Sequence, residues 1–230
     1  MDRVLELIAE TPLFNGLAEA DLAQVRAIAT DRFYGRGETI FLEGAPGDGF
    51  YIVAAGKVKI FKVSLEGKEQ ILHIYGSGHP FGEVPVFSGD NFPANAVTLV
   101  KSHLLFFSRT AFVKLITAHP SLCMNMLAVL SMRLREFTLQ IESLSLKEVP
   151  GRLAAYLLYL AEEQAAAGST VKLPISKGQL ASLLGTIPET LSRILAKLSA
   201  QEMIAVNGKR IEIKDGELLE ELALTGKALE

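Results

Sequence analysis

The sequence predicts an α+β protein with an N-terminal jelly-roll β-roll over residues 1–120, a long dimerisation helix over 121–147 and a C-terminal winged helix-turn-helix over 148–230. Three observations carry that reading. Over 38–108 the chain is a series of short β-type runs bounded by glycine-containing turns, which suits antiparallel hairpins rolled on themselves. Over 127–144 apolar residues recur at heptad spacing. After Ser176, two short helical patterns meet at a glycine, and Asn207-Gly208 then separates two alternating apolar runs, a strong hairpin signal.

Composition sets the outer limits. A chain of 230 residues can build two cores without disulfides. Cys123, the single cysteine, excludes an intramolecular disulfide or a cluster held by several thiolates of one chain, and it suits a reducing compartment. No run approaches the roughly 18 apolar residues that a membrane span needs, and Met1-Asp2-Arg3-Val4-Leu5-Glu6 interrupts its apolar pattern with acids. A soluble cytoplasmic protein without a membrane partner is expected. The net charge is −3, but the charge is unevenly placed. Between 169 and 214, Lys172, Lys177, Arg193, Lys197, Lys209, Arg210 and Lys214 outnumber Glu189, Glu202 and Glu212, so a local module can meet phosphates while the whole chain stays acidic.

In chain order, Val4, Leu5, Leu7 and Ile8 form a short amphipathic helix stopped at Thr11-Pro12, and 21–28 form a second. The strands follow, among them Phe50-Tyr51-Ile52-Val53, Lys57-Val58-Lys59-Ile60-Phe61, Gln70-Ile71-Leu72-His73-Ile74-Tyr75 and Leu104-Leu105-Phe106-Phe107. Lys57 and Lys59 alternating with Val58 and Ile60 predict one wet and one buried face, hence an enclosed interior able to hold a small ligand. In the long helix Leu127, Leu130, Leu134, Phe137, Ile141 and Leu144 form an a/d seam that a second copy of the helix would bury, so a parallel homodimer is expected. Arg133, Arg135, Glu136 and Glu142 fall off the seam, toward water. Leu122, Met126, Val129 and Met132 are apolar off the seam and face the chain's own roll, while Cys123 reads as a small buried hydrophobe.

Glu148-Val149-Pro150-Gly151 reads as a break and domain hinge, after which a helix covers 153–164 and Ala165-Ala166-Ala167-Gly168 leads out of it. Ser176-Lys177-Gly178-Gln179 and Thr186-Ile187-Pro188-Glu189 have capping-box spacing and start the two helices of a helix-turn-helix. The second helix buries Leu191, Ile194, Leu195 and Leu198 and leaves Glu189, Ser192, Arg193, Ala196 and Lys197 outside. Arg193 is the strongest candidate for a base contact, since arginine can donate two bonds to guanine; Glu189 can accept from cytosine or serve only as a cap. Lys209 and Arg210, just past the hairpin turn, suit phosphates.

These features carry a resemblance. Gly44-Ala45-Pro46-Gly47, Tyr51-Ile52-Val53-Ala54-Ala55-Gly56-Lys57-Val58, Glu66-Gly67-Lys68-Glu69-Gln70-Ile71-Leu72 and Phe81-Gly82-Glu83 closely resemble the cyclic-nucleotide-type β-roll of CRP/FNR transcription regulators, and the likeness continues to the C-terminal module. It implies regulation of transcription on double-stranded DNA, with RNA polymerase as a partner. Glu189-Thr190-Leu191-Ser192-Arg193 resembles the Glu-x-x-Ser-Arg signature of FNR-type members, which implies a palindrome with TTGA-like half-sites; Pro188 replaces a further arginine of the CRP type. In members that bind cyclic AMP, Gly-Glu is followed by Arg-Ser, the arginine neutralising the phosphate. Here Gly82 and Glu83 are present, but Pro93 and Ala94 hold the Arg-Ser positions, and Phe137 and Thr138 align with the adenine-contacting hydroxyl pair. A cyclic phosphate without its cation is disfavoured, so cyclic nucleotide is not the expected effector. Residues 81–95 and 151–194 are most similar to the DNR and HcpR-like nitrosative-stress branch, which implies haem b and a response to nitric oxide, usually as activator. Of the four histidines, His73 and His79 are the candidate axial ligands, with His103 read as solvated and His119 as structural.

The rival class is a cupin-like metal enzyme holding an ion on His73, His79 and Glu83. The cupin His-x-His pair is absent and His79 lies in a glycine-rich turn, so an enzyme is not expected.

Overall fold

The computed structural model describes residues 3–164 and 170–226; the stretch Ala165-Ala166-Ala167-Gly168 and residues Met1 and Asp2 lie outside them. Helices α1 (Arg3–Glu10) and α2 (Glu19–Ile28) lead into eight strands: β1 (Ala29–Tyr34), β2 (Thr39–Phe41), β3 (Gly49–Ala55), β4 (Val58–Val63), β5 (Glu69–Tyr75), β6 (Pro80–Phe81), β7 (Asn95–Thr98) and β8 (Ser102–Ser108). A short helix, α3 (Val84–Ser88), interrupts them after β6. Then follow α4 (Arg109–Ala118), α5 (Ser121–Leu146) and α6 (Val149–Glu163), strand β9 (Thr170–Lys172), helices α7 (Lys177–Leu183) and α8 (Pro188–Ala200), the hairpin β10 (Ile204–Asn207) and β11 (Arg210–Ile213), and α9 (Gly216–Thr225). The chain divides into two compact units, Met1–Leu134 and Arg135–Glu230.

In the first unit two antiparallel four-stranded sheets, β1-β8-β3-β6 and β2-β7-β4-β5, form the roll. Because side chains alternate along a strand, β3 and β8 send Phe50, Ile52, Leu105 and Phe107 to one side, where Ile8, Leu13, Phe14, Val25, Phe112, Leu122 and Met126 cover them. Tyr51, Val53, Leu104 and Phe106 go to the other side and meet Phe41, Val58, Tyr75, Phe81, Phe92 and Ala96. Burial on both faces explains the unbroken apolar runs 50–53 in β3 and 104–107 in β8. The expected alternation in β4 fails at Lys59, which is only 8% exposed. Its ammonium pairs with Glu69 and lies 4.1 Å from the Phe61 ring, so an ion pair and an aromatic face replace water.

In the second unit β9 adds to the hairpin to give a sheet in the order β10-β11-β9. The break expected at Pro150-Gly151 is displaced: α5 ends at Leu146, Glu148 is the N-cap of α6, and Pro150 and Gly151 lie in its first turn, where the missing proline N–H has no helical partner to lose. Gly151 is a packing residue. A Cβ there would stand 2.6 Å from the Gly226 Cα, so α6 and the end of α9 meet backbone to backbone. Arg152 fastens the same corner by donating to the carbonyls of Leu144 (3.2 Å) and Lys147 (2.7 Å), and the Glu148 N–H donates to the Gly226 carbonyl at 2.8 Å.

Candidate nucleic-acid interface and effector pocket

The helix-turn-helix forms as its sequence implies. Ser176 Oγ accepts from the Gln179 N–H while Gln179 Oε1 accepts from the Ser176 N–H, a complete capping box at the start of α7. The second box does not form. Ile187, not Thr186, is the N-cap of α8, and it supplies no side-chain bond, because proline at N1 sets the register one residue later. Glu189 is therefore not spent on capping. Leu191, Leu195 and Leu198 are buried and Ile194 is half-buried. Glu189, Ser192, Arg193, Ala196 and Lys197 are exposed, with Thr190 half-buried beside them. Ser192 donates its hydroxyl proton to the Pro188 carbonyl at 2.8 Å, so its oxygen can act toward a ligand only as an acceptor. Lys209 and Arg210 are exposed at the tip of the β10–β11 hairpin, where Gly208 has φ 60°. The exposed cations thus occupy two separate elements of one unit, α8 and the hairpin.

In the roll, Gly82 adopts φ 74°, and a Cβ there would press on Phe41 and Phe92, whose rings stack at 3.8 Å. This conformation turns the next carboxylate inward: Glu83 is 7% exposed. Its partner is Arg133, which also donates to the Pro80 carbonyl and lies 5.0 Å from the Tyr75 ring. Expected in water, Arg133 is instead largely withdrawn from it and paired with Glu83. The signal was present, because Leu122, Met126, Val129 and Arg133 are spaced four, three and four apart and share the helix face turned to the roll. Met132, one residue off that face, is 63% exposed, against the expectation that it packs on the roll.

Pro93 is exposed and Ala94 buried. The Pro93 carbonyl accepts from Lys62 Nζ at 3.1 Å, and Lys62 also pairs with Glu43, so a cation does reach the loop that lacks an arginine. His73 packs against Tyr75 with ring centroids 4.2 Å apart and planes tilted by 31°. Burial, then the nearby Arg133 charge and His79, push its pKa down to about 4, which keeps the ring neutral at ordinary pH. His79 is exposed, its Nδ1 lying 3.1 Å from the Ser77 carbonyl. The other histidines are both partnered. His103 is not merely solvated: its Nε2 lies 2.7 Å from Asp31 and its ring stacks on Phe33, while His119 Nε2 lies 3.7 Å from Asp21. Phe137 and Thr138 fall in the second compact unit and are exposed. Among the described residues no group of three His, Cys, Asp or Glu side chains is placed to hold a metal ion.

On α5 the seam residues Leu127, Leu134, Phe137 and Ile141 are 55%, 69%, 40% and 65% exposed, with Leu130 and Leu144 half-buried. Cys123, expected to be buried, is exposed in the single chain. Among the described residues no single helix is long and apolar enough to cross a membrane.

Residues 31–119 match the cyclic nucleotide-binding domain family, and residues 151–222 match the Crp-like helix-turn-helix domain family. The cyclic AMP receptor protein of Thermus thermophilus is 34% identical over 213 residues, covering 93% of this chain and 97% of the relative. The fumarate nitrate reduction regulatory protein of Klebsiella oxytoca is 28% identical over 191 residues, covering 82% of this chain and 76% of the relative. Among solved structures, the c-di-GMP responsive global regulator CLP of Xanthomonas campestris superposes with a TM-score of 0.77 at 25% identity, covering 86% of this chain and 100% of that one. The roll, the long helix and the winged helix-turn-helix, together with these relatives, place the chain in the CRP/FNR family of transcription regulators, as a DNA-binding protein and not an enzyme.

Proposed function

We propose that the chain works as a homodimer, reads a two-fold symmetric DNA site with α8 of each copy, and is gated by a small effector that competes at the Glu83–Arg133 pair. That ion pair carries the reading. Glu83 follows β6 of the roll and Arg133 belongs to α5, the helix that also presents the apolar seam. A ligand with different affinity for the paired and unpaired states would shift the helix through which two copies meet. The seam's spacing and exposure support the dimer, and the Glu-x-x-Ser-Arg run at 189–193 supports TTGA-like half-sites, with RNA polymerase as the downstream partner. The test is binding of fluorescent duplexes, selected from random sequence, to the wild type and to Glu83→Gln with and without candidate effectors. Glu83→Gln is expected to lose effector response while keeping basal DNA binding. Unchanged response in that variant overturns the reading.

Two effector chemistries each have one observation in their favour. For haem b and nitric oxide it is the neutral His73 imidazole, which keeps the lone pair an iron needs. The room is less favourable, since Phe41, Phe81 and Phe92 fill the interior and would have to part for a porphyrin. For a cyclic nucleotide it is Lys62, whose ammonium beside Pro93 would meet the phosphate on leaving Glu43. A stoichiometric Soret band that moves with nitric oxide and changes in His73→Ala supports the first. Tightened DNA binding with cyclic AMP, lost in Lys62→Gln, supports the second.

A further inference from the structure

The start of α8 breaks a rule of helix chemistry without an evident gain to the fold. An N-cap residue ordinarily carries a side-chain oxygen that accepts from the N–H groups of the first turn, and Ser, Thr, Asp and Asn are preferred there. Ile187 fills this position with φ −108° and ψ 155°, an extended conformation that any of those residues adopts, yet it offers no oxygen. It does not compensate by packing, being 50% exposed although it belongs to a residue type that is usually buried. The turn itself is held by other means, since the Thr186 N–H donates to the Ala181 carbonyl at 2.9 Å. Ile187 therefore stands out at the N-terminal tip of the second helix of the motif, the end that approaches base edges in the major groove. Two residues further on are Glu189 and, one turn beyond, Arg193, both exposed.

We propose that Ile187 is a specificity-determining residue that reads the 5-methyl group of a thymine in each half-site. The major groove displays that methyl as its one apolar feature, and apolar side chains distinguish thymine by contact with it. An exposed isoleucine is lost surface in the free protein and gains burial only on the correct base. The inference rests on α8 being the helix that enters the groove.

The experiment takes the tightest duplex selected from random sequence and replaces its thymines one pair of symmetric positions at a time by deoxyuridine, which removes the methyl and keeps every hydrogen-bonding group. For the wild type one such pair is expected to weaken binding by about fourfold per half-site, about fifteenfold overall, the effect of leaving a methyl-sized apolar group unburied. Ile187→Ser is expected to raise Tm by restoring a cap oxygen and to bind thymine and deoxyuridine duplexes alike. Ile187→Val is expected to keep most of the discrimination. Opposite movement of stability and discrimination in Ile187→Ser is a signature that a merely structural role would not produce. Indifference of the wild type to deoxyuridine at every position, or discrimination that persists in Ile187→Ser, overturns the proposal. Arg193→Ala serves as the control for the underlying reading: if it leaves affinity for the selected duplex unchanged, α8 is not in the groove and both readings fail together.

Discussion

Arg193 and His73 sit in opposite environments, one exposed and one half-buried near a cation. Arg193 is exposed on α8, and if it forks toward guanine as proposed, Arg193→Ala should cost about 1–3 kcal/mol on the selected site and little on random DNA, measured by competition anisotropy. Equal losses on both would assign it to phosphate. His73 is half-buried near the Arg133 charge, and its folded pKa of about 4 lies below the ordinary value of 6.5. The unfolded chain binds the proton first, so stability is full above about pH 6.5, falls as pH drops toward 4, and levels off below it, by up to ~3 kcal/mol. His73→Gln should flatten that part of a Tm-against-pH curve. The two residues also differ in how legible they were. Arg193 was readable because an outward position on an amphipathic helix follows from spacing alone. The surroundings of His73 and the pairing of Glu83 with Arg133 depend on which helix lies over which strand, and local periodicity carries no such information.

At the scale of elements, helices with one buried stripe were found where expected, while junctions were not. Pro150-Gly151 reads locally as a breaker, yet proline is tolerated in a first helical turn and this glycine answers to α9, a partner far away in sequence. Gly151→Val should force the α6–α9 backbone contact apart and cost about 1–3 kcal/mol in urea unfolding, whereas a hinge role would leave stability unchanged. Lys59 was misread for a related reason, because alternation marks a face without saying what covers it. The seam of α5 tests an element against its copy. Leu134 is 69% exposed at its centre, so Leu134→Arg should oppose two charges in the dimer at a cost on the order of 3–5 kcal/mol, read as a monomer by sedimentation and as lost affinity for the palindrome. A mutant that stays dimeric would move the contact elsewhere.

For the molecule as a whole, an acidic chain that binds a polyanion must concentrate its cations. The net charge of −3 resists non-specific association, while Lys209 and Arg210 are exposed on the hairpin tip, where the proposed reading has them meet phosphates. Lys209→Ala should weaken cognate and random duplexes alike and reduce the slope of log affinity against log salt by about one per site contacted. The division into two compact units has a further consequence at the corner where Glu148 donates to Gly226 and Gly151 touches it. The path into the reader and the path out of it converge on one point, with its own core between them. Such closure works as a clasp: a fragment that starts at Glu148 loses the Leu144 and Lys147 carbonyls that Arg152 engages and the Lys147 ammonium that donates to Ala223, so it should melt at a lower temperature than one that starts at Arg135.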